Sequence, residues 1–396
     1  MTGAMYAAIA GLKTHMTKMS VIGNNIANVN TAGYKSQRTI FKDAMYSMYS
    51  SGSDGTSTTA GRNPSQIGYG SQVSSIDLNM VTGSFAPGTS TDCMIYGDGF
   101  FMVGDKDTAN YIDPENPEST KALNLTRVGD FSFKADGYLS DGSGGVVYGF
   151  LCTGIKNGEP EISDQLVPIR LPRMEKVLDE NGKEIYEIRY PVDTDPQAQD
   201  ANAAAIPLRD YDPAKDAVDE NGNAAADDDA VQSVDLPFAQ LDSVSIDSET
   251  GAITGTTKDT DELITIGYIA IGNVTNPNGL THAGGFYYTA SDGAGDLQVS
   301  LLGGVAADLG LSYVNKSRIP ADALNGEGED AVQLSDKMAI GSAGGTNLMT
   351  GGLEGSNVDL ANEIAEMITT QRGYQANTRI ITVTDAMLEE LVNMKR

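Results

Sequence analysis

The sequence predicts a mixed architecture. A terminal α-helical coiled-coil pair is formed by the N- and C-terminal helices, and two mainly-β domains lie between them, the second inserted in the first. Three observations predict it. Both chain ends carry apolar residues at alternating spacings of four and three. The middle carries short apolar runs cut by glycine turns. A block near the centre departs in composition, being rich in proline and acid. The expected boundaries are 1–32 and 353–396 for the helical domain and 33–71 for a connector. They are 72–152 and 240–352 for the first β domain, and 153–239 for the inserted one.

At the N-terminus, Met5, Ile9, Leu12, Met16, Met19, Gly23 and Ile26 fall on one heptad line. Ala7, Ala8 and Ala10 raise helix propensity, and Lys13 and Lys18 sit off the line. Asparagine is a poor residue for a helix interior, because its short amide competes for backbone hydrogen bonds. Asn24, Asn25 and Asn28 therefore mark the last turns, and residues 29–34 the exit, with Gly33 free to take positive φ. The amides of Asn24, Asn25, Asn28 and Asn30 can bond neighbouring backbone or another subunit.

At the C-terminus, Leu360, Ile364, Met367, Gln371, Tyr374, Thr378, Ile381, Asp385, Leu388 and Val392 keep the same spacing. Three of them are polar, so this line is imperfect. Ile368, Ile380, Met387 and Leu391 widen the stripe. Asn357 or Asp359 can cap the start, and Lys395 and Arg396 suit a helix end. Neither helix satisfies its stripe alone, so the simplest solution pairs the two. Ile9, Leu12 and Met19 are then expected to face Ile364, Met367 or Leu388 of the same or a neighbouring chain. Two amphipathic helices on an ordinary core are the alternative; length and heptad regularity favour the coiled coil. Chain ends that meet leave everything between them as an insertion.

Residues 36–71 are rich in Ser, Thr, Gly and Asn. By composition they read as a flexible linker. From about 72 the pattern becomes β, with Asp136-Gly137 as a hairpin signal between FSFK and YLS. It returns in SVSIDSETGAITG, ITIGYIAIGNV and GGFYYTAS. In 153–239, Asn181-Gly182 and Asn221-Gly222 read as hairpin tips within two copies of DENG, and Asp227-Asp228-Asp229 as part of a solvated outer surface.

The formal net charge of −28 argues against a nucleic-acid partner, which needs a basic face. It favours a dispersed monomer that repels its copies. No run reaches the roughly 20 apolar residues of a transmembrane helix, and the start lacks the apolar core of a cleaved leader. No membrane insertion is expected. Cys93 and Cys152 are too few for a disulfide framework or a zinc site; they form one bridge or stand as two buried thiols. His15 and His282, the only histidines, have no paired-histidine metal motif. There is no phosphate loop, no nucleophile elbow and no calcium-loop spacing among the acids. No catalytic, cofactor or metal residue is expected, and the chain does not read as an enzyme.

SVIGNNIANVNTAGYK (20–35) resembles the N-terminal signature of the bacterial flagellar rod and hook proteins. The last 46 residues, with SNVDL at 356–360 and QRGYQAN at 371–377, resemble that family's C-terminal signature. IYGDGFFMV (95–103), 125–150 and 264–295 resemble its core β domain, in the family's order. The resemblance implies a structural subunit that assembles with itself into a helical tube, with terminal helices inside and β domains outside. It implies export through the flagellar channel without a cleaved leader. Its implied partners are a cap protein, the distal rod protein, a hook–filament junction protein and the export apparatus. The long middle segment points to the hook members, since distal rod members are shorter; a distal rod subunit is the alternative. A secreted adhesin or enzyme borrowing the export signal is a third reading.

Overall fold

A computed structural model describes residues 2–55, 60–106, 120–156, 159–163, 166–178, 184–191, 236–258, 262–301, 312–313, 341–342 and 346–394. The chain divides into two compact units, Met1–Gly83 with Ser356–Arg396, and Ser84–Gly355.

The first unit is built on helices α1 (Thr2–Ala27) and α2 (Leu360–Met394). Asp359 caps α2: its Oδ1 accepts from the backbone N–H of Ala361 (3.0 Å) and of Asn362 (3.3 Å). Asn357, the other capping candidate, has a different task. Its Oδ1 accepts from Ser36 N (2.7 Å), and its Nδ2 donates to the carbonyls of Asn79 (2.7 Å) and Val81 (2.9 Å). The helices run antiparallel. Gly11 lies against Asn377, His15 against Gly373, and Lys18 Nζ pairs with Glu366 at 2.8 Å.

The described part of 36–71 is not a structureless linker. Strand β1 (Gln37–Asp43) pairs antiparallel with β4 (Ser71–Leu78), bulging between Ile40 and Phe41. This two-stranded sheet packs on α1, where the His15 ring meets Phe41 edge-on at 6.0 Å and Thr14 bonds Ser71 at 3.1 Å. Between them, β2 (Tyr46–Ser50) and β3 (Ser65–Gly68) form an antiparallel ribbon. The composition reads as linker because serine and glycine dominate. The sparse large residues, among them Ile40, Phe41, Tyr46, Met48 and Ile67, are what the strands present.

The second unit is a β body. Its main sheet runs, in spatial order, Leu241–Ile246, Ala252–Thr257, Leu263–Ile269, Val146–Lys156, Phe100–Gly104, Ile271–Val274, Leu297–Leu301 and Gly341–Ser342. The core gathers Cys93, Ile95, Phe101, Phe131, Val147, Leu151, Ile169, Ile253, Ile266, Ile269, Ile271 and Leu348. Sequence neighbours and distant segments thus share one interior. Asp136-Gly137 turns between Phe131–Phe133 and Leu139–Asp141, with Gly137 at φ 77°. Cys93 and Cys152 are both buried and outside any disulfide, the Cys152 thiol donating to the Gly154 carbonyl at 3.2 Å, and burial raises the Cys93 thiol far above its ordinary range.

The described residues do not part at 152/153. Strand Val146–Lys156 runs through that point, and Glu159–Ile162 and Val167–Pro168 pair with it. Arg173–Leu178 and Glu184–Arg189 then pair as a separate ribbon flanking 179–183. Both asparagine–glycine tips and the Asp227–Asp229 run lie outside the described residues. At the far end, Gly352–Glu354 pairs with Phe85–Pro87, so the β unit extends to the threshold of the C-terminal helix. Arg127 fixes that strand from below. Its guanidinium, fully buried, donates to the Ile95 and Gly97 carbonyls and pairs with buried Glu354 at 3.6 Å. Burial pulls the Arg127 pKa down, and Glu354 opposes that pull.

Candidate assembly interface

The buried face of α1 carries Ala8, Gly11, Thr14, Val21, Ile22 and Asn25. Val21 and Ile22 are its apolar members; Ala8, Gly11, Thr14 and Asn25 are small or polar, which lets helices approach closely at the crossing. An added Cβ at Gly11 would stand 2.6 Å from Asn377 Nδ2, and one at Gly373 would stand 2.8 Å from the His15 ring. The expected line lies roughly a third of a turn away, at about 100° per residue. On it, Met5, Ile9, Leu12, Met19 and Ile26 are half-buried and Met16 is exposed.

On α2 the protected positions are Glu363, Met367, Thr370, Tyr374, Asn377, Ile381, Thr384 and Leu388, again at spacings of four and three. The expected line shares Met367, Tyr374, Ile381 and Leu388. It differs by one residue at every other place. Gln371, Thr378 and Asp385 are exposed, and Thr370, Asn377 and Thr384 take their positions. Leu360, Ile364 and Val392 are exposed. The antiparallel register matches Gly11 with Asn377 and Asn25 with Glu363. Continued at that register, α2 outruns the start of α1 by about two turns, so Leu388 passes beyond Ile9, Leu12 and Met19.

Asn25 joins three segments. Its Nδ2 donates to Gln37 O (2.9 Å) and Glu363 Oε1 (2.9 Å), and its Oδ1 accepts from Gln37 N (3.0 Å) and the Tyr34 hydroxyl (3.0 Å). Asn24 donates to the Tyr34 hydroxyl at 3.0 Å and Asn28 to Asn24 O at 2.9 Å. Asn24 and Asn30 are exposed, Asn28 half-buried and Asn25 buried. Gly33 takes φ 67°, which turns the chain back so that Tyr34 and Gln37 reach the helix. Burial, and then the Glu363 charge, push the Tyr34 phenol up to about 12. Burial raises the Glu363 carboxyl; the Asn25 hydrogen bond works against that rise, and the Glu366 charge adds to it. Sequence reasoning missed Glu363 and the small residues at the crossing, and named Asn357 only as a helix cap. Polar gaps in the expected C-terminal line could not flag its phase, since the packed line itself carries Glu363, Thr370, Asn377 and Thr384.

Two further features bear on assembly. Most large apolar side chains of α2 outside the packed line are exposed: Leu360, Ile364 and Ile368 on one flank, Ile380, Val383, Met387, Leu391 and Met394 on the other. Charge is also divided unequally. Residues 1–83 and 356–396 carry ten Lys and Arg against nine Asp and Glu, whereas 84–355 carry 16 against 45. Among the described residues there is no cluster of metal-ligating side chains, and no helix is long and apolar enough to cross a membrane.

Comparison with known proteins meets this geometry at the two helices. Residues 5–35 match the family described as flagella basal body rod protein, and 349–394 match the flagellar basal body rod FlgEFG protein C-terminal family. The flagellar basal-body rod protein FlgG of Bacillus subtilis is 28% identical over 398 residues, covering all of both chains. The flagellar hook protein FlgE of Borreliella burgdorferi is 28% identical over 472 residues, again covering all of both chains. That of Salmonella typhimurium is 26% identical over 439 residues, covering 98% of this chain and 99% of its own. The matched ends coincide with the helices that fold into one unit, and over its whole length the chain is similar to proteins named as flagellar rod and hook subunits.

Proposed function

We propose that this chain is the structural subunit of the flagellar hook, which assembles with itself into a curved helical tube and passes torque from rod to filament. One observation carries the assembly reading: the near-neutral terminal unit leaves rows of apolar side chains on the surface of α2. A heterologous contact between unlike patches of successive copies never closes, and so builds a tube. In this reading the two helices form a coiled-coil inner layer around an export channel. The seam residues Met5, Ile9, Leu12, Met16, Met19, Ile26, Leu360, Ile364 and Val392 meet neighbouring copies. The acidic β unit stands outside, with the part of 153–239 beyond the strands that pair with Val146–Lys156 as its inserted outer domain. Its charge keeps contacts between copies weak enough to slide. The cap, distal rod and junction proteins and the export apparatus are its further partners.

Length does not separate hook from rod here, because a relative named as a rod protein aligns over the whole of this chain. Hook-named relatives from Borreliella, Treponema and Salmonella also align over nearly all of it, and they favour the hook. The rod reading rests on the Bacillus relative. Electron microscopy of basal bodies from a strain lacking the gene decides between them. Complete rods without hooks are expected; truncated rods would move the subunit into the driveshaft.

A further inference from the structure

The ribbon formed by β2 and β3 is apolar and bare on both faces. Met45, Ile67 and Tyr69 share one face, with Met45 O accepting from Tyr69 N at 3.0 Å; Tyr46 and Met48 share the other. Met45 is 82% exposed and Tyr49 78%, and from 45 to 69 no described residue is buried. An isolated two-stranded ribbon is marginal in water, so a surface that covers it also stabilises it. Its six large side chains expose several hundred Å², at the scale of the largest apolar patch of a typical monomer. With the strand backbone added, that approaches the roughly 800 Å² that each partner brings to a stable complex.

A second apolar strip lies on the same unit. Ile380, Val383, Met387, Leu391 and Met394 recur at helical spacing along one flank of α2, and its last turns pass beyond α1. Both strips are exposed within one chain, so neither covers the other there. Charge offers one local match: Arg62 borders the ribbon, where Lys42, Asp43 and Asp54 also lie, and Glu390 stands beside the ridge, whereas Asp385 and Glu389 fall on the far side of α2.

We propose that the β2–β3 ribbon of one copy docks on the Ile380–Met394 ridge of a second copy. This rests on the subunit reading above and specifies its contact. Ribbon against ridge is heterologous and propagates; ribbon against ribbon would close as a dimer and stop.

The test uses the full chain, polymerised from purified protein, with Tyr49→Cys and Leu391→Cys combined. Cys93 and Cys152 are buried and give little background. Mild oxidation of the polymer is expected to give a ladder of covalent dimers, trimers and larger species on a non-reducing gel. Each single variant is expected to give none. Polymer that forms without a ladder overturns the proposal and leaves the subunit reading standing. Dimers from Tyr49→Cys alone also overturn it, since they report ribbon against ribbon. Wild-type chain that never polymerises overturns the subunit reading itself, and the docking with it. A surface charge swap gives a second measurement that spares the fold. Arg62→Glu is expected to lower polymer yield roughly threefold, the scale of one exposed ion pair, and Glu390→Arg on the same chain to restore it. No change with Arg62→Glu, or no rescue, counts against the contact.

Discussion

At the residue scale, Asn25 shows why asparagines crowd the end of α1. A planar amide offers two donors and an acceptor with two lone pairs, and Asn25 uses all four to tie helix, exit loop and α2 together. Asn25→Ala leaves the Gln37 backbone N–H without its acceptor, and is expected to cost about 2–4 kcal/mol in the terminal unit. Hydrogen exchange localised to residues 2–43 measures this, because a chain of two units gives no single global unfolding energy. Protection unchanged from wild type would show that the network carries no stability. The glycines divide by what surrounds them. Gly23 has nothing within 4 Å of an added Cβ, so Gly23→Ala is expected to raise α1 stability by up to about 1 kcal/mol. At Gly129 the Cβ would fall 1.8 Å from the Cys93 carbonyl oxygen. Gly129→Ala is therefore expected to lower the melting temperature of the β unit sharply, and a melt matching wild type would contradict this packing.

At the element scale, the helices were legible and their contact was not. Heptad spacing placed α1 and α2, and the Asp-Gly turn placed its hairpin, because local periodicity and local φ reach the sequence directly. The packed face was missed because apolar content was used as the guide to burial. In these helices the chain's own contact runs through Gly11, Thr14, Thr370, Gly373, Asn377 and Thr384, where small size and hydrogen bonding let backbones approach. Apolar residues such as Met16, Ile364 and Ile380 stay outside. The ribbon was missed for a related reason: strand pairing between 46–50 and 65–68 is non-local, and Ser and Gly mask it. Two tests follow from this division of faces. Ile364→Glu lies outside the packed line, so a folded monomer with native circular dichroism is expected, unable to polymerise. Loss of fold instead would place Ile364 in the monomer's own contact. Glu363 lies on the packed line with its carboxyl raised mainly by burial. A raised carboxyl contributes stability below the ordinary carboxylate range and loses it as pH rises through the shifted value. Glu363→Gln keeps an acceptor for Asn25 and removes the charge. It is expected to match wild type near pH 4 and to equal or exceed it at pH 7, as read by thermal melts of the terminal unit.

At the scale of the whole molecule, the division of charge sets the balance between dispersal and assembly. The β unit carries 45 acids against 16 bases, while the terminal unit is almost neutral. Copies approaching one another meet long-range repulsion from the first and short-range apolar attraction from the second. Salt screens the repulsion over about 10 Å at 0.1 M and about 3 Å at 1 M, yet leaves apolar contact largely intact. Screening also weakens the exposed Arg62–Glu390 match between ribbon and ridge, but one such pair is worth at most about 1 kcal/mol. The repulsion summed over the β unit outweighs it. The concentration at which purified chain begins to polymerise is therefore expected to fall as ionic strength rises from about 0.05 M to about 0.5 M. Sedimentation of polymer across a salt series reads this directly. A threshold that rises with salt would mean that ion pairs, and not apolar helix and ribbon surfaces, hold the copies together. The same series run on Arg62→Glu separates the two contributions. Its deficit relative to wild type should shrink with salt, because what it loses is electrostatic, while the shared downward trend should persist because it belongs to the β unit.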